Sequence, residues 1–434
     1  MNARIKELSR YVLPSVGGLC VTYLYNIVDG IFVGQGVGSA ALGAVNIGVP
    51  FITFAVAVAA MFPMGGATIV AIRMGRGDEE GANHAFMSAF VMTVLAAIVL
   101  TAAGMFFAEE ITLLSGADKL SREMAQMAAE YLFFYSAFSI PMLMSTCLAV
   151  FVRNDGSPGL AFAGMCIGAL TNIFLDWLFI FPLHMGIVGA AIASGAGQVF
   201  SVIVLLSHFV LKKGKLRIKA FPVKFSLMGK VCKRGLPETA SQLTTPVTAL
   251  CYNIVLASLT GDIGISTFSV LSFIFSLANA VFSGVAQGIQ PLWGRCFGGQ
   301  DDKEMKFYFK AGMMINFIFS VIIYILLFVF APSAIRIFNQ DAALVETGTG
   351  ALPVFALSFI PMALNLVLTA FFFSTKRTRQ ADMIALSRGV IIKAAAIFLI
   401  PVICGGEAIW AAPAVAEIIT LVMAVIILCK KAGL

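Results

Sequence analysis

The chain has 434 residues, of which 60% are hydrophobic and only 12% charged, and its mean hydropathy is +0.96. Such a composition excludes a soluble globular domain and a disordered chain, and it sets the class as an integral membrane protein. The formal charge of +7 carries no sign of nucleic-acid binding, because the basic residues sit in short segments between apolar runs.

Cutting the sequence at its charges leaves twelve apolar runs, at 11–33, 44–72, 85–108, 126–152, 158–181, 186–211, 235–259, 267–294, 309–331, 348–374, 381–403 and 408–429. Each can supply the ~20 residues that cross a ~30 Å hydrocarbon core as a helix. The amino-terminal residues offer no small-residue cleavage site of a signal peptide, so the first run is expected to stay as a span. With that end placed inside, only Lys119, Arg122 and Arg336 of the 29 Lys and Arg fall on outer segments, and Lys393 falls within a span. This bias predicts a multi-pass protein of a prokaryotic cytoplasmic (inner) membrane with both termini cytoplasmic.

The first run holds the most informative stretch. Thr22, Tyr25, Asn26 and Asp29 lie at i−7, i−4, i−3 and i, so a helix gathers them on one polar face. A carboxylate inside a span costs a few kcal/mol even on translocon scales (~2.5–3.5), and it normally faces a partner or a wet cavity. The fourth run begins with Glu130, Tyr131 and Tyr135. Tyr131 can face the bundle or serve as an interfacial anchor. In the fifth run Asn172 and Asp176 stack at i and i+4, at the same depth as Asp29, and Ser194 of the sixth run returns to that level. Two carboxyls in a low-dielectric pocket cannot both stay ionised unaided, so the group is expected to take a proton or share a cation through the Asp29, Asp176, Asn26, Asn172 and Ser194 oxygens. Measured interhelical polar contacts are worth only ~0.6 kcal/mol on average, too little to explain two such acids by packing alone.

The later runs repeat the earlier ones. Leu13-Pro14 returns as Leu236-Pro237, Gly65 as Gly288, and Gly75-x-x-Asp78 as Gly298-x-x-Asp301, all displaced by 223; Ser139-Ile140-Pro141-Met142 returns as Phe359-Ile360-Pro361-Met362, displaced by 220. Six spans per repeat, an even number, start both halves on the same side. The expected fold is therefore an all-α membrane protein of 12 transmembrane helices in two six-helix lobes, related by a pseudo-two-fold axis along the membrane normal. The lobes cover 1–211 and 235–434, and the basic segment 212–234 reads as a solvated cytoplasmic linker. Glu238, next to Pro237, reads as an acid at a helix amino terminus. Where Asn172 to Asp176 stand in the first half, the second has Ile392-Lys393-Ala394-Ala395-Ala396. Glu417 of the twelfth run reaches the same level as Lys393, so the two are expected to pair as a tethered counterpart of the first site, although Glu417 could instead receive cationic substrates. Pro14 lacks an N–H and allows the first span to bend.

The runs Tyr25-Asn26-Ile27-Val28-Asp29, Ile31-Phe32-Val33-Gly34 and Ala41-Leu42-Gly43-Ala44-Val45-Asn46, with Pro50, the Arg153-Asn154-Asp155-Gly156 turn and Gly288-Ile289-Gln290-Pro291, together resemble the multidrug and toxic compound extrusion (MATE) family over all twelve spans. Val45-Asn46-Ile47 and Gly65-Gly66 are most similar to its MepA-like bacterial branch. The resemblance implies a secondary efflux transporter that exchanges small organic cations and amphipathic drugs for H+ or Na+ by alternating access. It also implies that the residues matching the DinF-like cation site are Asp29, Asn172, Asp176 and Ser194, the last a threonine in most such members. The alternative within the superfamily is a lipid-linked precursor flippase. No nucleotide loop, zinc spacing or nucleophile with a histidine partner indicates an enzyme. No cofactor is expected, nor any metal beyond Na+ at the cation site, and the protein is expected to act as a monomer in lipid. The 38 Phe and 20 Met suit apolar cations of varied shape, but most must simply face lipid.

Overall fold

A computed structural model describes residues 2–115, 121–219, 225–242, 244–338 and 341–431; Lys119 and Lys224 of the basic pattern, and the Asn46 side chain, lie outside what is described. Among the described residues the chain is helical with no β-strand, and it divides into two compact units, Met1–Thr239 and Ala240–Leu434. The first contains α1 (Asn2–Gly36), α2 (Ser39–Gly75), α3 (Glu79–Phe106), α4 (Ala108–Leu114), α5 (Arg122–Ala137), α6 (Ser139–Asn154), α7 (Pro158–Ile180), α8 (Gly186–Val210) and most of α9 (Phe225–Gln242). The second contains α10 (Thr244–Leu259), α11 (Gly261–Gly299), α12 (Asp302–Val329), α13 (Ala331–Arg336), α14 (Ala342–Ala356), α15 (Phe359–Ser374), α16 (Thr378–Leu386), a π-turn at Ser387–Ile391, α17 (Ile392–Cys404), a 3-10 turn at Gly406–Ala411 and α18 (Ala412–Lys431).

Among the described residues nine helices are long and apolar enough to span a membrane, and the pairs α5–α6 and α14–α15, bent by 50° and 41°, bring the number to 11. The expected seventh span falls across α9 and α10, which flank position 243, outside the described residues. Both bends have the same cause. Each precedes one of the repeated Ile-Pro-Met sequences, where Pro141 and Pro361 lack the N–H that would close the preceding turn. The repeated Gly-x-x-Asp sequences are helix starts: Asp78 accepts from Gly81 N–H at 2.8 Å and Asp301 from Glu304 N–H at 3.0 Å. α1 runs through Pro14 without a break.

Two expectations need correction. Glu238 is not at a helix start but well inside α9, where its charge interacts with Arg153. The first part of the linker is not a solvated loop either. Asp155 accepts from the Lys215 N–H at 2.9 Å and the Leu216 N–H at 3.0 Å and pairs with His208 Nε2 at 2.9 Å, while Asn83 Oδ1 accepts from the Arg217 N–H at 2.7 Å. Leu216 is fully buried as a result. Backbone donors that sequence composition would leave to water are thus taken by side chains of α3 and of the turn after α6.

Candidate functional site

The first-unit site is set by how closely α1 and α8 approach α7. α1 and α7 run side by side in the same direction: a methyl added at Gly17 would stand 3.0 Å from the Phe162 ring, and one at Gly36 would meet Ile180. That register, an offset of 144–145 in sequence, brings Asp29 level with Ile173, about 4.5 Å along the axis from Asp176 at ~1.5 Å per residue. On the other side, a methyl at Gly197 of α8 would stand 2.6 Å from the Gly168 carbonyl oxygen and 3.0 Å from Asn172 Cβ. Glycine there lets the two backbones close up, and Asn172 Nδ2 donates to Ser194 Oγ at 3.3 Å.

Asp176 is fully buried and Asn172 is 2% exposed. The Asp29 and Asp176 carboxyls lie within side-chain reach of each other, with Asn172 alongside. Yet Asp29 Oδ1, both carboxyl oxygens of Asp176 and Asn172 Oδ1 are buried without a hydrogen-bond donor. Two acids and an amide thus meet in a buried place where these oxygens lack well-formed hydrogen bonds, with the Asn172 amide the nearest donor to Asp176. Such a group is costly as it stands and is satisfied by a proton between the acids or by a small hard cation. Tyr25, Tyr131 and Tyr135 interact electrostatically with Asp29, and Tyr25 and Tyr131 also with Asp176. Tyr131 is 6% exposed and faces the bundle, in a buried cluster with Val33, Ala128 and Ile180.

Asn26 does not join the group. Its side chain is exposed, and among the described residues it makes no hydrogen bond to either acid. At 3.6 residues per turn, positions i−3 and i−4 fall on opposite sides of Asp29, and α1 turns the Tyr25 side toward the site. A residue that the sequence reading omits takes part instead: Gln198, one turn beyond Ser194 on α8, bonds with Tyr25 and accepts from Ser145 Oγ of α6. Its only sequence signal is the i+4 spacing from Ser194.

In the second unit Lys393 Nζ lies 3.4 Å from Glu417 Oε1, with both side chains almost wholly buried. The pair has two further members. Arg388 Nε lies 3.2 Å from the same oxygen, and Asn365 Nδ2 donates at 2.9 Å to Oε2 and at 2.9 Å to the Glu417 backbone carbonyl. Arg388 reaches Glu417 because Ser387–Ile391 is a π-turn, closed by the Ile392 N–H on the Ser387 carbonyl. In that i→i+5 pattern five residues make about one turn, so Arg388 and Lys393 share a side that an α-helix would deny them. Lys393 also stands 5.7 Å over the Phe275 ring. Among the described residues no three His, Cys, Asp or Glu side chains gather as a metal site.

The MatE family profile matches residues 14–178 and 237–399, one stretch in each half. The chain belongs to the MatE family. A multidrug export protein MepA of Staphylococcus saprophyticus is 23% identical over 391 residues, covering 89% of this MatE chain and 85% of its own. Among solved structures, an outward-facing multidrug resistance MATE family transporter of the MOP superfamily aligns with a TM-score of 0.91 at 20% identity, covering 98% of this chain and 96% of that one. A MOP superfamily transporter from Pyrococcus furiosus, described as having a binding pocket of reverse polarity that suggests a different function, aligns with a TM-score of 0.90 at 22% identity, covering 99% and 97%. These likenesses establish the all-α, two-lobed, twelve-span transporter fold for this MatE protein.

Proposed function

We propose that this MatE-family protein exports organic cations and amphipathic drugs by exchange for a small cation, H+ or Na+, with both termini on the cytoplasmic side. One observation carries the reading: two carboxyls, Asp29 and Asp176, lie within reach of each other beside Asn172, and four of the oxygens of these three residues are buried without a well-formed hydrogen bond. A transported ion is the natural occupant, since among the described residues no fixed cation stands beside the two acids and one amide cannot neutralise them. Asp29, Asp176 and Asn172 supply oxygens of the kind a hard ion accepts, and Ser194 adds a hydroxyl held beside Asn172. A proton held between the acids serves equally. The occupied and unoccupied states differ in the repulsion between α1 and α7, so ion binding biases how these helices pack, and differential affinity between the two packings drives exchange. The names of the MepA relatives support drugs as the cargo. In the second half, Lys393 and Arg388 hold on Glu417 the positive charge that the first half must import.

The test is ethidium efflux from proteoliposomes under separately imposed Na+ and H+ gradients, for the wild type and Asp176→Asn. One gradient should accelerate efflux in the wild type and neither should in the variant. Gradient-driven efflux that survives in Asp176→Asn would overturn the site, and wild-type efflux indifferent to both gradients would overturn the exchange.

A further inference from the structure

Away from the acids, the first unit carries a second built-up feature that ion exchange does not use. A groove of about 580 Å³ opens beside the first turns of α1 and the start of α7. Lys6, Arg10 and Lys213 line it with no acidic residue among its walls. Arg10, which is exposed, donates from Nη2 to the Gly156 carbonyl at 3.1 Å. Lys6 and Lys213 are likewise exposed. At the groove's end α7 begins with Ser157, whose hydroxyl makes no capping bond, then Pro158 and Gly159; a methyl at Gly159 would meet nothing within 4 Å. Three exposed cations thus flank the start of α7, where the Leu160 and Ala161 N–H groups bond to the Ser157 carbonyl and the Gly159 N–H is the donor left to a ligand.

The other wall is apolar. Leu13, 67% exposed, and Leu160 continue the groove from the basic end into the region where the first span begins. A groove that is cationic at one end and apolar at the other, at the level where the chain enters the membrane, fits an amphiphile with an anionic head. The geometry points to a binding site for one anionic phospholipid of the leaflet on the side of the chain termini. Its phosphodiester lies among Lys6, Arg10, Lys213 and the Gly159 N–H, and its acyl chains lie along Leu13 and Leu160. A free phosphate would use the basic end and leave the apolar wall bare. The lipid would tie the end of α1, which carries Asp29, to the start of α7, which carries Asp176.

Native mass spectrometry of the full-length protein, presented with equimolar phosphatidylglycerol and phosphatidylcholine, tests the assignment by a readout independent of transport. The wild type should retain one phosphatidylglycerol in preference to phosphatidylcholine. Each basic residue replaced among K6A, R10A and K213A should weaken that retention by about fivefold, the usual worth of a basic side chain near an anionic surface. The charge-conserving K6R/R10K/K213R variant should keep it, which separates lost charge from misfolding. Equal retention by the triple alanine variant, equal retention of phosphatidylcholine, or displacement of phosphatidylglycerol by an equal concentration of glycerol phosphate would each overturn the proposal.

Discussion

The buried polar clusters of the two units solve opposite problems. In the first, two carboxyls, Asp29 and Asp176, meet with no fixed cation among the described residues, and four oxygens of Asp29, Asp176 and Asn172 are buried without a well-formed hydrogen bond. In the second, one carboxylate, Glu417, takes Arg388 at 3.2 Å, Lys393 at 3.4 Å and Asn365 at 2.9 Å. Acceptors outnumber donors in one place, and cations outnumber acids in the other. The two halves share one repeated pattern, and at corresponding places they differ: the first sets two acids together with no fixed cation, whereas the second carries its positive charges in the chain, on Lys393 and Arg388.

The largest effects should come from breaking the second cluster. Glu417→Ala leaves two buried cations without an acid and should cost at least ~3–5 kcal/mol of stability, the usual cost of orphaning one member of a buried pair. Lys393→Met should cost less, because Arg388 still compensates Glu417. The double variant Lys393→Met with Glu417→Gln should fall between them, since it orphans Arg388 alone. Thermal unfolding in detergent gives the order; a double variant as stable as Lys393→Met would show that Arg388 does not depend on Glu417. The first cluster should respond in the opposite sense. Asp176→Asn removes one of the two facing carboxyls and should leave the fold intact while lowering gradient-driven efflux by about 5- to 150-fold, the range of a ~1–3 kcal/mol coupling free energy. Loss of the fold together with transport would mean that the acids are structural.

How far these clusters could be read from sequence follows from helix geometry. Asp29, Asn172, Asp176 and Ser194 were legible because each obeys ordinary α-helical spacing and depth, and the same counting put Lys393 level with Glu417. The bends before Pro141 and Pro361 had a signal in the repeated prolines, but a run of uniform hydropathy read as one straight span hid them. Arg388 was not legible. Five residues before Lys393, it sits on a different face of an α-helix, and only the π-turn corrects that. The clamp of Asp155 and Asn83 on the linker was hidden for another reason: its donors are backbone N–H groups, which every sequence offers alike. The approach of α8 to α7 at Gly197 belongs between these cases, since glycines at Gly168 and Gly197 are visible but their pairing is not. Gly197→Ala should cost ~1–3 kcal/mol by overpacking against the Gly168 carbonyl. It should also weaken ion binding by displacing Asn172, and sodium-dependent tryptophan fluorescence would register that weakening apart from stability.

The smallest effect is the one that best discriminates between the sequence pattern and the structure. A helical wheel gives Asn26 the same claim on the site as Tyr25, because both lie within one turn of Asp29. The structure divides them, with Tyr25 bonded to Gln198 and in electrostatic contact with both acids, and Asn26 exposed. If the acceptor group is complete without Asn26, then Asn26→Ala should change stability by no more than about 0.5 kcal/mol, as an ordinary surface substitution does. It should also leave the gradient dependence of ethidium efflux unaltered, whereas Tyr25→Phe should shift it. A marked loss of coupling in Asn26→Ala would mean that α1 turns its other side toward the acids during the cycle, and the ion would then be held by a ligand set different from the one in which Asp29, Asp176 and Asn172 meet here.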